Sequence, residues 1–94
     1  MPNRFARGNR DANEPLITEV IRRYNIRYGL LPEKFGADIL LYVSPMALVE
    51  VKNPAYKWKL TQGEQETQEY CQMMGIPYHV VETPEEMIAI CAEG

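Results

Sequence analysis

Asp38 stands twelve positions before Glu50, and Lys52 follows Glu50 by two. The three charges frame an otherwise apolar stretch, Ile39-Leu40-Leu41-Tyr42-Val43-Ser44-Pro45-Met46-Ala47-Leu48-Val49. Its composition predicts two strands joined by a tight turn at Ser44-Pro45. Residue 44 is midway between 38 and 50, so a hairpin folded there sets Asp38 beside Glu50. Cross-strand neighbours have Cβ atoms roughly 4.5–5.5 Å apart. Glu50 and Lys52 then share one face of their strand, and Val51 points to the other.

Two carboxylates at that separation repel by roughly 3 kcal/mol at an effective dielectric near 20. A divalent cation between them reverses the sign. Hard cations such as Mg²⁺ take oxygen ligands, commonly one or two carboxylates completed by waters and substrate phosphates. A lysine on the same edge can hold a phosphate or an attacking water. Acid, acid and lysine together suit metal-assisted hydrolysis of a phosphodiester. The same residues also suit a simpler arrangement, in which Glu50 and Lys52 form a same-face ion pair and Asp38 caps its strand.

Several short motifs follow one another in order: Gly36-Ala37-Asp38, Glu50-Val51-Lys52, Leu60-Thr61-Gln62-Gly63-Glu64-Gln65, Gly75, and Val80-Val81-Glu82-Thr83-Pro84-Glu85-Glu86. In that order and spacing, from Ile17 to Met87, the chain resembles the VRR-NUC family of the PD-(D/E)XK nuclease superfamily. Ala37 stands where the superfamily name has proline, and the link from Lys34-Phe35 to Gly36 is short. The resemblance implies an α/β fold: a restriction-endonuclease-like αβββαβ core with a mixed four-stranded sheet flanked by helices. It implies a metal-dependent endonuclease, with Mg²⁺ or Mn²⁺ held by Asp38, Glu50 and the Val51 carbonyl. Lys52 would act on the attacking water or the phosphate. Gln65 would match a family glutamine near the active site, and Glu19 a family glutamate on the first helix. Small standalone members resemble Holliday junction resolvases in size and dimeric habit, which implies branched DNA as substrate and a homodimer. A non-catalytic DNA- or partner-binding module, or a nuclease on flapped DNA, linear DNA or RNA, is the alternative.

The chain has 94 residues and a net charge of −3, which suits one domain and at first sight opposes nucleic-acid binding. The distribution is more informative. All ten Lys and Arg lie in residues 1–59 beside six Asp and Glu, whereas residues 60–94 carry seven Glu and no Lys or Arg. One basic and one acidic part are compatible with a local DNA-binding face. Arg22, Arg23, Lys34, Lys57 and Lys59 are the expected phosphate contacts. Tyr56 and Trp58, interleaved with Lys57 and Lys59, suit base stacking, although Trp58 would equally serve as a lid on the core. The longest apolar run, Ile39 to Val43, is too short to span a bilayer. Nothing resembles a signal peptide. Cys71 and Cys91 lack metal-ligand spacing and are expected as small buried residues in a reducing compartment. A cytoplasmic protein, or one of a phage host's interior, is expected.

The elements that would position these residues read as α, β, β, β, α, β, α. Residues 1–12, with Arg4, Arg7 and Arg10, read as a flexible basic arm, and 13–94 as a single nuclease-like domain. Leu16, Val20, Tyr24 and Tyr28, with Ile17 and Ile21, predict a helix over 14–28 that stops at Gly29. On that wheel Glu19 falls about 140° from the apolar stripe (3.6 residues per turn). Glu14 is nearer the stripe but fits the family spacing poorly. Residues 30–35 predict a short edge strand. Thr61-Gln62-Gly63-Glu64 has capping-box spacing and opens a helix to Met74, with Thr67, Tyr70, Cys71 and Met74 as its buried stripe. A parallel crossover returns the chain to a strand at 77–82. His79, the only histidine, is expected in a structural role. Thr83-Pro84-Glu85-Glu86 opens a final helix.

Overall fold

A computed structural model of the chain describes residues 13–93. The basic arm expected over 1–12 lies outside them. Helix α1 spans Glu14–Arg23, with Pro15 in the first turn, an acid at its start and two arginines at its end, as the helix dipole favours. Its buried face is Ile17, Val20 and Ile21. The helix is shorter than the spacing predicts. Asn25 takes φ 57°, a left-handed conformation that asparagine tolerates, and the chain turns away. Tyr28 therefore opens strand β1, Tyr28–Leu30. Leu16 and Tyr24 are exposed, because steps of four residues drift around a helix of 3.6 residues per turn. The strand expected over 30–35 is instead a single 3₁₀ turn, Glu33–Phe35.

Strands β2, Ile39–Leu41, and β3, Ala47–Val51, form the expected hairpin, paired Ile39 with Val49 and Leu41 with Ala47. The connection carries a cis Ser44-Pro45 peptide. Helix α2, Gln62–Met74, begins with a complete capping box between Thr61 and Glu64 and ends at Gly75, φ 73°. Strand β4, Tyr78–Val81, lies parallel to β3. Helix α3, Pro84–Glu93, closes the fold. Thr83 accepts from Glu86 N–H there, while the Glu86 carboxylate reaches back to Glu82 N–H at 2.6 Å. The sheet order is β1-β2-β3-β4, antiparallel except for the last pair. The protein is thus α/β with a mixed four-stranded sheet flanked by helices.

Alternation along β3 divides the molecule. Ala47, Val49 and Val51 join Ile39, Leu41 and Val81 against Ile17, Val20, Ile21, Met87 and Cys91. That side is a continuous apolar core under α1 and α3. Leu48 points the other way, into a small cluster with Ala37 and Cys71 under α2. The stripe predicted on α2 is half right: Thr67 and Cys71 face inward, but Tyr70 is 65% and Met74 70% exposed. The part-buried residues of the inner face are Glu64, Thr67 and Gln68. Gly36 makes the approach of α2 possible. Its φ is 92°, and a Cβ there would collide with the Thr67 side chain. Thr67 Oγ1 donates to Phe35 O at 3.1 Å, and Tyr78 Oη to Gly36 O at 2.7 Å. No described helix is long and apolar enough to cross a membrane.

Candidate active site

The α2 side of the sheet holds the buried charges. Continuing the β2–β3 register by one residue sets Asp38 beside Glu50, as the spacing predicts. Asp38 is 6%, Glu50 1% and Lys52 9% exposed. Asp38 Oδ2 accepts from Val51 N–H at 2.8 Å, so the carboxylate is fixed to strand β3 by its backbone. Val51 itself sends its side chain into the opposite core.

Lys52 Nζ lies 2.9 Å from Glu64 Oε1 and 3.4 Å from Glu50 Oε2. The first contact is a hydrogen bond; the second is an ion pair without hydrogen-bond alignment, and Glu50 Oε2 is a buried oxygen with no hydrogen-bond partner. Trp58 flanks the ammonium, its ring centroid 5.8 Å from Nζ. The indole N–H donates to Glu82, so Trp58 stands over the lysine at the surface rather than in the core.

The electrostatics follow from burial. Burial, then hydrogen bonding with Glu64, then the charges of Asp38 and Glu64 push the Glu50 carboxyl up to about 9, with Lys52 opposing them. Burial alone would raise Glu64 as well. The Thr61 N–H and the bonds with Glu50 and Lys52 outweigh it and hold Glu64 below the ordinary carboxylate value. Tyr78 is raised by burial and by the three nearby carboxylates. His79 is lowered by burial, with Glu93 acting the other way. It lies on the far side of β4, beside Ala47 and Ile90.

A cleft of about 620 Å³, lined by Pro32, Glu33, Lys34, Lys52, Thr61 and Glu64, opens onto this cluster. It brings Lys34 to the same mouth as Lys52. Tyr56, Lys57 and Lys59 are exposed on the loop that follows β3. Arg22 and Arg23 belong to α1, which packs on the opposite face of the sheet.

Two predicted catalytic residues are misplaced. Glu19 points outward from α1 and pairs with Arg22 at 2.9 Å and Arg23 at 3.5 Å. Those guanidiniums lower its pKa, first through the Arg22 hydrogen bond. The helix is oriented by Ile17, Val20 and Ile21, and no rotation brings Glu19 through the sheet. Gln65 is exposed and donates from Nε2 to Leu60 O at 3.0 Å, closing its own helix start. The capping box places Glu64 inward, and Gln65 lies about 100° further around the helix. Glu64 is the site residue that motif matching missed, although its capping-box position was the available signal.

Among the described residues, no group of three or more His, Cys, Asp or Glu is arranged to hold a metal ion. Two other carboxylates bear on Glu50: Glu64, with which it hydrogen-bonds, and Asp38 across the hairpin. No family model, curated protein or solved structure matches the chain.

Proposed function

We propose that this chain is a divalent-cation-dependent endonuclease on DNA, with branched DNA such as four-way junctions as its preferred substrate. The observation that carries this is the burial of Asp38, Glu50 and Lys52 together on one sheet face, with Glu50 Oε2 unsatisfied. Glu50 Oε2 has the 3.4 Å ion pair with Lys52 but no aligned hydrogen bond; leaving a buried acceptor without its hydrogen bond costs about 1–3 kcal/mol, and a structural strand gains nothing from it. Asp38 and Glu50 offer the hard oxygen donors that Mg²⁺ or Mn²⁺ prefers, with the Val51 carbonyl and waters to complete the shell. When bound, the ion would lower the pKa of a water and neutralise charge on the phosphate. Lys52 presents an ammonium to the cleft and holds the phosphate or the attacking water there. Lys34 adds charge at the cleft mouth, and Tyr56, Lys57, Trp58 and Lys59 form the adjoining edge. The ordered motifs that resemble VRR-NUC nucleases support the same chemistry, and the family's junction resolvases support the substrate.

A homodimer belongs to this reading, because a four-way junction needs two coordinated cuts and two-fold symmetry supplies them. Leu16, Tyr24 and Tyr56 are exposed apolar residues available for contact. Sedimentation at micromolar concentration should give about twice the chain mass of 10.9 kDa. The activity is tested by incubating labelled linear, flapped and four-way DNAs with Mg²⁺, Mn²⁺ or EDTA. Cleavage of the four-way DNA with either cation and none with EDTA is expected. Undiminished cutting in EDTA would end the metal mechanism. Binding without cutting under every condition would leave a DNA-binding module on this fold.

A further inference from the structure

Glu64 Oε1 makes two bonds at once. It accepts from Thr61 N–H at 2.9 Å and from Lys52 Nζ at 2.9 Å. The first belongs to the capping box that starts α2, completed by Glu64 N–H on Thr61 Oγ1 at 3.2 Å. The second reaches twelve residues back along the chain to the catalytic strand. We propose that Glu64 is the positioning residue of this site, setting the place of the Lys52 ammonium through the first turn of α2.

Physical chemistry favours this division of labour. A lysine side chain carries about 2 kcal/mol of rotamer entropy on a flexible four-carbon stem. Glu50 does not hold it in a fixed direction, since its nearer oxygen is 3.4 Å from Nζ and lacks hydrogen-bond alignment. Trp58 presents a ring face at 5.8 Å, which attracts without fixing an angle. Glu64 is the partner in hydrogen-bond geometry, and its own position is over-determined by the cap. Its carboxylate is nearly buried, 12% exposed, as is the Lys52 side chain at 11%. The helix start and the ammonium are therefore one mechanical unit at the wall of the Lys34–Lys52 cleft.

The part of this inference that concerns turnover rests on the nuclease reading; the part that concerns the ammonium does not. Two substitutions separate reach from charge. Glu64→Gln keeps the length of the side chain and an oxygen that can accept both bonds, and glutamine serves in a capping box. Glu64→Asp keeps the negative charge at the helix start, where it favours the dipole, but withdraws it by one carbon–carbon bond, about 1.5 Å. The ammonium is read directly, by the ¹⁵N–¹H resonance of Lys52 Nζ and its exchange with water, with Lys34, Lys57 and Lys59 as exposed references. Wild type and Glu64→Gln should both show a resolved, slowly exchanging Lys52 signal. Glu64→Asp should lose it while retaining its thermal midpoint within a few degrees. In cleavage of the best DNA substrate, Glu64→Asp should lower kcat about tenfold to a hundredfold with KM within about threefold, the pattern of a group misplaced in the transition state, and Glu64→Gln should recover most of the rate. Thr61→Ala lowers the thermal midpoint and leaves the Lys52 signal in place. A wild-type Lys52 signal in Glu64→Asp would overturn the proposal. So would loss of the signal in Thr61→Ala with retention in both Glu64 variants, which would leave Glu64 a helix cap alone. If wild type cuts no DNA, the nuclease reading falls, and the ammonium signals still decide the role of Glu64.

Discussion

The two faces of one sheet obey different rules. Under α1 and α3, buried apolar side chains from both helices and the sheet meet in a single core. Under α2, three small or medium residues, Ala37, Leu48 and Cys71, share the space with Asp38, Glu50 and Lys52. The first face supplies the burial that drives folding. The second gives up apolar area to keep charges out of water, which stabilises nothing by itself. The same five-residue strand serves both, because its side chains alternate. The comparison teaches that stability and chemistry are separable here by the parity of residue number along β3.

Substitutions can break that separation, the largest effect first. In the proposed nuclease reaction, Glu50→Gln should lower cleavage about a thousandfold, roughly 4 kcal/mol of transition-state stabilisation. Chemical denaturation should find it as stable as wild type or more so, since a buried carboxyl with raised pKa is removed. A destabilised Glu50→Gln would show that the charged face holds the fold as well. Ile39→Ala, on the opposite face, should cost about 3 kcal/mol of stability, while the folded fraction keeps the rate of the proposed cleavage. Gly36→Ala should cost about 2 kcal/mol through its left-handed backbone and the collision with Thr67, measured as a lower denaturation midpoint.

Acidity offers a further test. The Glu50 carboxyl rises from an ordinary 4.5 to about 9 in the folded chain. Between those values the folded state binds more protons at this site than the unfolded state, so its contribution to stability is lost as pH rises through the window. Glu64, held low, works in the opposite sense, and its contribution is lost as pH falls. The thermal midpoint of wild type should therefore fall more steeply from pH 6 to 9 than that of Glu50→Gln. Equal slopes would remove Glu50 as the titrating group. The smallest effect belongs to the outer surface of α2: Tyr70→Gln and Met73→Gln should each change stability by less than about 0.5 kcal/mol, because both side chains already face water.

Much of this was legible in the sequence where a local rule has a single solution. The hairpin centred on residue 44 is one case, since alternation and a Ser-Pro turn fix both register and face. The stop of α2 at Gly75, the strand at Tyr78 and the capping box between Thr61 and Glu64 are others. The failures share a cause. Tyr24 and Tyr28 continued a helical spacing that Asn25 interrupts, because the choice between helix and turn at one asparagine depends on where β1 must pair. Tyr70 and Met74 looked like core residues, but α2 covers only a narrow strip of sheet, and that strip is already occupied by charge. Gln65 was preferred over Glu64 on likeness to a motif, where the cap geometry pointed one residue earlier.

Asn13 adds a consequence for anyone trimming the chain. Its side-chain amide donates to Lys52 O at 2.9 Å and to Glu82 O at 3.0 Å, just where the backbones leaving β3 and β4 separate. One asparagine thus laces together the exits of the two parallel strands and anchors the entry to α1. Shortening the chain as far as residue 12 leaves this lace intact. Removing one residue more unties two carbonyls, Lys52 O just past the strand that carries Glu50 and Glu82 O just past β4, so one side chain holds both exits together beside the lysine of the site.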